Sequence, residues 1–267
     1  MTNPMLEKLV RFQNPEQQLG YARELTDDTR AALVNATTEE YRRQTEQLTM
    51  LKEDAAQSLA RQEEIQRALV NTPFSRAQRI LALGESSTAD ALSWFEILRT
   101  LFAHERADLN LEFQNLAISG ATSTQVLGTV SRVARAQADW IFCMLGGNDA
   151  RRFGDADGPR LVSEAETLRN LTLIRRLAVA ERDVRWFWLT PTPVDEEKVA
   201  AYPYFAGIAW ANHDVQRITH ALTELNDPVI DSSTSVLVAD AYGDDGLHTT
   251  ISAQTELARK VLTTLEG

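Results

Sequence analysis

The chain has 267 residues, of which 27 are Lys or Arg and 38 are Asp or Glu, giving a formal net charge of −11 at pH 7. This acidic balance provides no general attraction to phosphate backbones or anionic membrane surfaces, so neither nucleic acid nor a membrane is expected as a partner. With 43% hydrophobic and 24% charged residues the composition is globular, and a single cysteine, Cys143, excludes a disulfide framework within the chain.

Four histidines give no Cys/His cluster at zinc spacing, so no metal is expected. Residues 181–267 hold 14 acids and 6 bases, while residues 71–180 hold 12 of each, so the negative charge belongs mainly to the C-terminal third. The opening MTNPMLEKLVRFQNPEQ lacks the basic head and apolar centre of a signal peptide, and no run approaches the roughly 18 apolar residues of a membrane span. The expectation is a soluble, cytoplasmic protein.

Residues 1–70 are rich in Glu, Gln, Arg, Ala and Leu and read as helical throughout. Asn14-Pro15-Glu16-Gln17 combines a candidate N-cap, a proline at the first helical position and a capping-box glutamine. Thr37 and Glu40 have capping-box spacing and are expected to open a helix running to about Val70, roughly 50 Å long. Written as heptads, its seam contains Leu48, Leu51, Ile65 and Leu69 but also Gln44, Ser58 and Gln62. Both a helical hairpin packed on the main domain and a dimerising rod stay open, the latter making a homo-oligomer through residues 1–73.

From Phe74 short apolar runs alternate with amphipathic stretches. RILALG (79–84), LEFQNLAI (111–118), DWIFCML (139–145) and VRWFWLT (184–190) are expected strands. Helices are expected at about Ser87–His104, Ser123–Ala136, Val162–Arg182, Phe205–Leu225 and Ile251–Leu265. This alternation implies an α/β domain over residues 74–267, with a parallel sheet covered by helices on both faces and chemistry at the carboxyl ends of its strands.

The polar residues at those ends are informative. After the first strand, Gly84-Glu85-Ser86-Ser87-Thr88 places a serine at a helix N-terminus, where free N–H groups favour an oxyanion; a plain helix cap is the competing reading. Gly120 follows the second strand. Gly146-Gly147-Asn148-Asp149 follows the third, with an amide able to donate to developing negative charge. Near the end, Asp245 and His248 are three apart on a loop, so the carboxylate can hold the imidazole Nδ1–H and leave Nε2 to take a proton. His104, His213 and His220 lie in helical stretches and suit surface roles.

Taken together and in order, these blocks resemble the SGNH hydrolase superfamily, the GDSL esterases and lipases, over about residues 78–267; LTPTPVDE (189–196) is similar to the family's proline-bearing segment after its fourth strand. The resemblance implies a three-layer, flavodoxin-like α/β fold in which Ser86 is the nucleophile, His248 the base and Asp245 its orienting acid. It implies an oxyanion hole from the backbone N–H groups of Ser86 and Gly120 and the side chain of Asn148, and no cofactor. Position 85 departs from the family, with Glu where Asp is usual.

The implied activity is hydrolysis of a small soluble carboxylic ester through an acyl-enzyme. An acyltransferase using the same triad, and an interaction protein whose helical arm is the functional surface, are the alternatives. Arg151 and Arg152 offer positive charge to an anionic substrate group, or ion pairs to acids such as Asp155 and Asp157. Trp186 and Trp188 read as sheet-face packing rather than a substrate platform.

Overall fold

The protein is described from a computed structural model, covering residues 4–19, 22, 24–154 and 157–266. The N-terminal arm comprises α1 (Pro4–Phe12), α2 (Pro15–Gln18), α3 (Asp27–Leu33), α4 (Thr38–Ala60) and α5 (Glu63–Val70). The Thr37 capping box forms, with Glu40 N–H donating to Thr37 Oγ1 (3.2 Å) and Thr37 N–H donating to Glu40 Oε2 (2.9 Å). The one at Asn14 does not: Gln17 instead donates to Asn115 O (3.0 Å) and accepts from Arg132 (2.7 Å).

The single long helix expected from Thr37 is two helices. Gln62 is extended (φ −86°, ψ 129°) and breaks the run after Arg61. Gln62 sits at the turn, Ser58 stays exposed on α4, and the turn delivers Ile65, Ala68 and Leu69 to the core. On α4 the buried stripe is Gln44, Leu48, Ala55, Ala56 and Leu59, and Leu51 is exposed.

The α/β part follows as β1 (Arg79–Gly84), α6 (Ser86–Ala89), α7 (Trp94–Glu105), β2 (Glu112–Asn115), α8 (Ser123–Ala136), β3 (Trp140–Met144) and β4 (Arg152–Phe153). It continues with α9 (Glu164–Val179), β5 (Arg185–Leu189), α10 (Glu196–Ala201), β6 (Ile208–Ala209), α11 (Asn212–Thr223), β7 (Val229–Ile230) and α12 (Ile251–Leu265). Five strands form a parallel sheet in the order β2-β1-β3-β5-β7, while β4 and β6 make a small antiparallel pair. The expected helix Ser87–His104 is interrupted, because Asp90 accepts from Leu92 N–H (2.8 Å) and Ser93 caps a new start.

Strand alternation divides the interior into two cores. Ile80, Ala82, Phe142 and Met144 face one side, where they meet α7 and α12 together with Leu59, Ile65 and Leu69 of the arm. Leu81, Leu83, Ile141, Cys143, Trp186 and Trp188 face the other, under α8, α9 and α11. The two tryptophans pack edge to face at 5.0 Å, and Phe187 stacks on Phe142 from the opposite face. Burial pushes the Cys143 thiol well above its ordinary range. Among the described residues no helix is long and apolar enough to cross a membrane.

The arm therefore shares a core with the sheet. Ile65 is fully buried there, and Ile65→Ala should destabilise by about 2–5 kcal/mol through lost burial and the cavity left behind. All five tryptophans lie outside the arm, so urea unfolding followed by tryptophan fluorescence should show a lowered midpoint. An unshifted tryptophan transition would mean that the arm folds independently.

Candidate active site

Strand β1 ends at Gly84, Glu85 is extended, and α6 begins at Ser86, so the sheet delivers the serine to the carboxyl edge. Ser86 is 7% exposed and borders a cleft of about 20 Å³, lined also by Glu85, Gly147, Asn148, Trp210 and Leu247. That volume accommodates little more than one water molecule. Of its lining, Val194, Trp210 and Leu247 belong to a small apolar cluster with Val199, Phe205 and Ile208.

The loop before α12 carries the acid and the base. The Asp245 carboxylate is 2% exposed and fully engaged: Oδ1 accepts from Leu247 N–H (3.0 Å) and His248 N–H (2.9 Å), and Oδ2 meets His248 Nδ1 at 2.9 Å. A further partner arrives from α1, where Lys8 Nζ donates to the same Oδ2 at 2.7 Å and to Tyr202 Oη at 2.8 Å. Burial pushes the Asp245 carboxyl up, but hydrogen bonds and charge attraction from His248, with the Lys8 bond, outweigh it and hold the group well below the usual carboxylate range. Burial likewise opposes the Lys8 ammonium, yet its bonds to Asp245 and Tyr202 raise it above an ordinary lysine.

Serine turn and histidine loop are tied together by Gln254 of α12. Its Nε2 donates to Ser87 O (3.1 Å) and Thr249 Oγ1 (2.9 Å), and its Oε1 accepts from Trp94 N–H (2.8 Å). From α1, Arg11 makes a bidentate pair with Asp90 at 2.7 Å and donates to Thr249 O at 2.9 Å, spanning the same two segments. Phe12 lies against the imidazole, ring centroids 4.3 Å apart. Among the described residues no hydrogen bond joins Ser86 Oγ to His248.

Of the groups expected to form an oxyanion hole, Gly120 is an exposed turn residue with φ +77°. The Asn148 side chain is already occupied. Its Nδ2 donates to Glu85 Oε2 at 2.6 Å and to Ala121 O at 3.3 Å, and Glu85 also accepts from the N–H groups of Gly147 (2.9 Å) and Asn148 (2.8 Å). The approach requires glycine at 147, because a Cβ there would stand 2.6 Å from Glu85 Oε1. Burial, reinforced by the nearby Asp149 charge, pushes the Glu85 carboxyl up to about 8 against the pull of these donors. Asp149 itself is structural, accepting from Ser123 N–H (2.9 Å), Ser123 Oγ and Thr167 Oγ1 (3.0 Å).

The two arginines separate. Arg152 donates to Asp214 at 2.6 Å and to Gly158 O at 2.7 Å, which corrects its reading as a substrate group. Asp214 outcompetes Asp157 because it is buried and needs a cation; Asp155 lies outside the described residues. Arg151 instead sits over Phe153 (5.4 Å) and the cleft residue Trp210 (6.0 Å), with a buried Nε that has no hydrogen-bond partner among the described residues. Sequence reasoning missed Lys8, Arg11, Phe12, Tyr202 and Trp210; the only local signal was the amphipathic character of PMLEKLVRF.

The model of the GDSL-like Lipase/Acylhydrolase family matches residues 82–253. A search of curated protein sequences finds no significant match. Solved structures of similar fold include TesA, with 21% identity over 70% of this chain and 98% of that one (TM-score 0.53). A lipase/acylhydrolase from Enterococcus faecalis has 20% identity over 71% and 96% (TM-score 0.56). The acetyl xylan esterase AlAXEase has 13% identity over 70% and 98% (TM-score 0.55). At these identities the likeness is one of fold, and it leaves the N-terminal helices uncovered by the family match. The sheet order, the polar blocks at its carboxyl edge and the match over residues 82–253 place the chain in the GDSL-like lipase/acylhydrolase family, a family of serine hydrolases acting on ester bonds.

Proposed function

We propose that the protein hydrolyses a small soluble ester with Ser86 as nucleophile, His248 as general base and Asp245 as the acid that orients it. The observation that carries this is the 2.9 Å contact between His248 Nδ1 and the buried Asp245 Oδ2, on a loop stitched by Gln254 to the serine turn. The carboxylate selects the tautomer with a proton on Nδ1, leaving Nε2 to accept the serine proton as Oγ attacks the ester carbonyl. Collapse of the tetrahedral intermediate expels the alcohol, protonated by the same imidazole. Water then attacks the acyl-enzyme, giving up its proton to Nε2, which passes it to Ser86 Oγ as the acyl–oxygen bond breaks and the acid is released. The backbone N–H groups of Ser86 and Gly120, with the Asn148 amide, are the donors we assign to the oxyanion.

Apolar lining from Val194, Trp210 and Leu247 beside Ser86 supports a short acyl group, and Arg151 beside Trp210 supports an anionic group on the substrate. Cytoplasmic residence belongs to the same proposal.

Glu85 sets the level of activity. One methylene longer than aspartate, it reaches Asn148 Nδ2 and consumes the donor that the oxyanion needs. As Glu85 ionises near pH 8 it adds a negative charge beside developing negative charge, so kcat should fall above that pH.

Fluorophosphonate labelling with peptide mapping should mark Ser86, and Ser86→Ala should abolish nearly all turnover of nitrophenyl acetate. Equal rates for wild type and Ser86→Ala would remove the assignment. Glu85→Asp should raise kcat about tenfold or more by returning the Asn148 amide to the oxyanion. Glu85→Gln should flatten the alkaline fall in kcat; a fall retained in that variant would show that another group causes it.

A further inference from the structure

We propose that α1, which precedes the family core, completes the catalytic site, with Lys8 and Phe12 as positioning residues for the Asp245–His248 pair. This rests on the serine-hydrolase reading above and assigns a task to a segment that the family match does not include.

Lys8 and Phe12 are four apart on one helix and therefore share a face. That face meets the acid and base together. Lys8 Nζ and His248 Nδ1 both bond to Asp245 Oδ2, at 2.7 and 2.9 Å, so the ammonium fixes the carboxylate against rotation and with it the imidazole. Phe12 is 6% exposed and covers one face of the His248 ring at 4.3 Å, closing off the tilt that would carry Nε2 away from the serine. Arg11 anchors the helix on both sides of the site through Asp90 and Thr249 O, and Tyr202 holds the ammonium from above, its ring centroid 4.4 Å from Nζ.

Lys8 acts through the acid and not on the substrate, so its loss should appear in kcat and leave KM, and a residue of equal charge and donor capacity should replace it. A residue that merely held α1 in place would lower the folded, labelled fraction without altering kcat per labelled site.

The test uses the full chain with nitrophenyl acetate as substrate and fluorophosphonate as the active-serine probe. Lys8→Met should lower kcat severalfold at neutral pH with KM little changed. Lys8→Arg should restore most of kcat. Lys8→Gln keeps a donor without the charge, should lower kcat as Lys8→Met does, and serves if the methionine variant fails to fold. Phe12→Ala should reduce kcat severalfold, with Phe12→Leu recovering most of it. A kcat per labelled site in Lys8→Met and Lys8→Gln equal to that of wild type, while wild type labels at Ser86, would overturn the role of α1. Absence of any label on wild type would remove the hydrolase reading, and this inference with it.

Discussion

A carboxylate withdrawn from water must have its lone pairs filled, and Asp245 is the group whose demand organises the site. Its two oxygens accept from two backbone N–H groups of its own loop, from the imidazole and from an ammonium supplied more than two hundred residues earlier. The first pair curls the chain so that His248 returns beside its own acid, a curl closed by Gly243 N–H on His248 O at 2.9 Å. The imidazole is thereby aimed, and the ammonium draws α1 onto the assembly. Loop conformation, ring orientation and docking of the arm are three answers to one desolvated charge.

A second economy of donors operates at Asn148. Glu85 accepts three N–H bonds there, all from the turn that follows β3. Such bonding braces the turn against the segment that carries Ser86 and leaves the Asn148 amide engaged.

Legibility in the sequence followed the range of the interactions. Strands β1 and β3 are buried on both faces and show as apolar runs; β7 is two residues that pair only with Trp188 and Leu189, too short for any pattern. Asp245 and His248 were legible because their contact is local. Lys8 was not, since PMLEKLVRF announces an amphipathic helix without saying what it covers. The string showed Glu85 as a departure from the family, but only the geometry shows the extra methylene reaching Asn148. Arg152 had acids close by in sequence and pairs instead with Asp214, which only the folding of α11 beside β4 brings near.

The placement of α5 bears on the order in which the protein is made. Its core partners include α12, and Glu64 accepts from Arg259 at 2.9 Å across 195 positions of sequence. Synthesis runs from α5 toward α12, so Ile65 and Leu69 are made well before α12, one of the surfaces that cover them. The bond from Lys8 to Asp245 is subject to the same delay, because its partners lie 237 positions apart. Nascent chains therefore carry the apolar face of α5 without its α12 cover until α12 is made, and gain the bond from Lys8 to Asp245 only once the loop before α12 has been made.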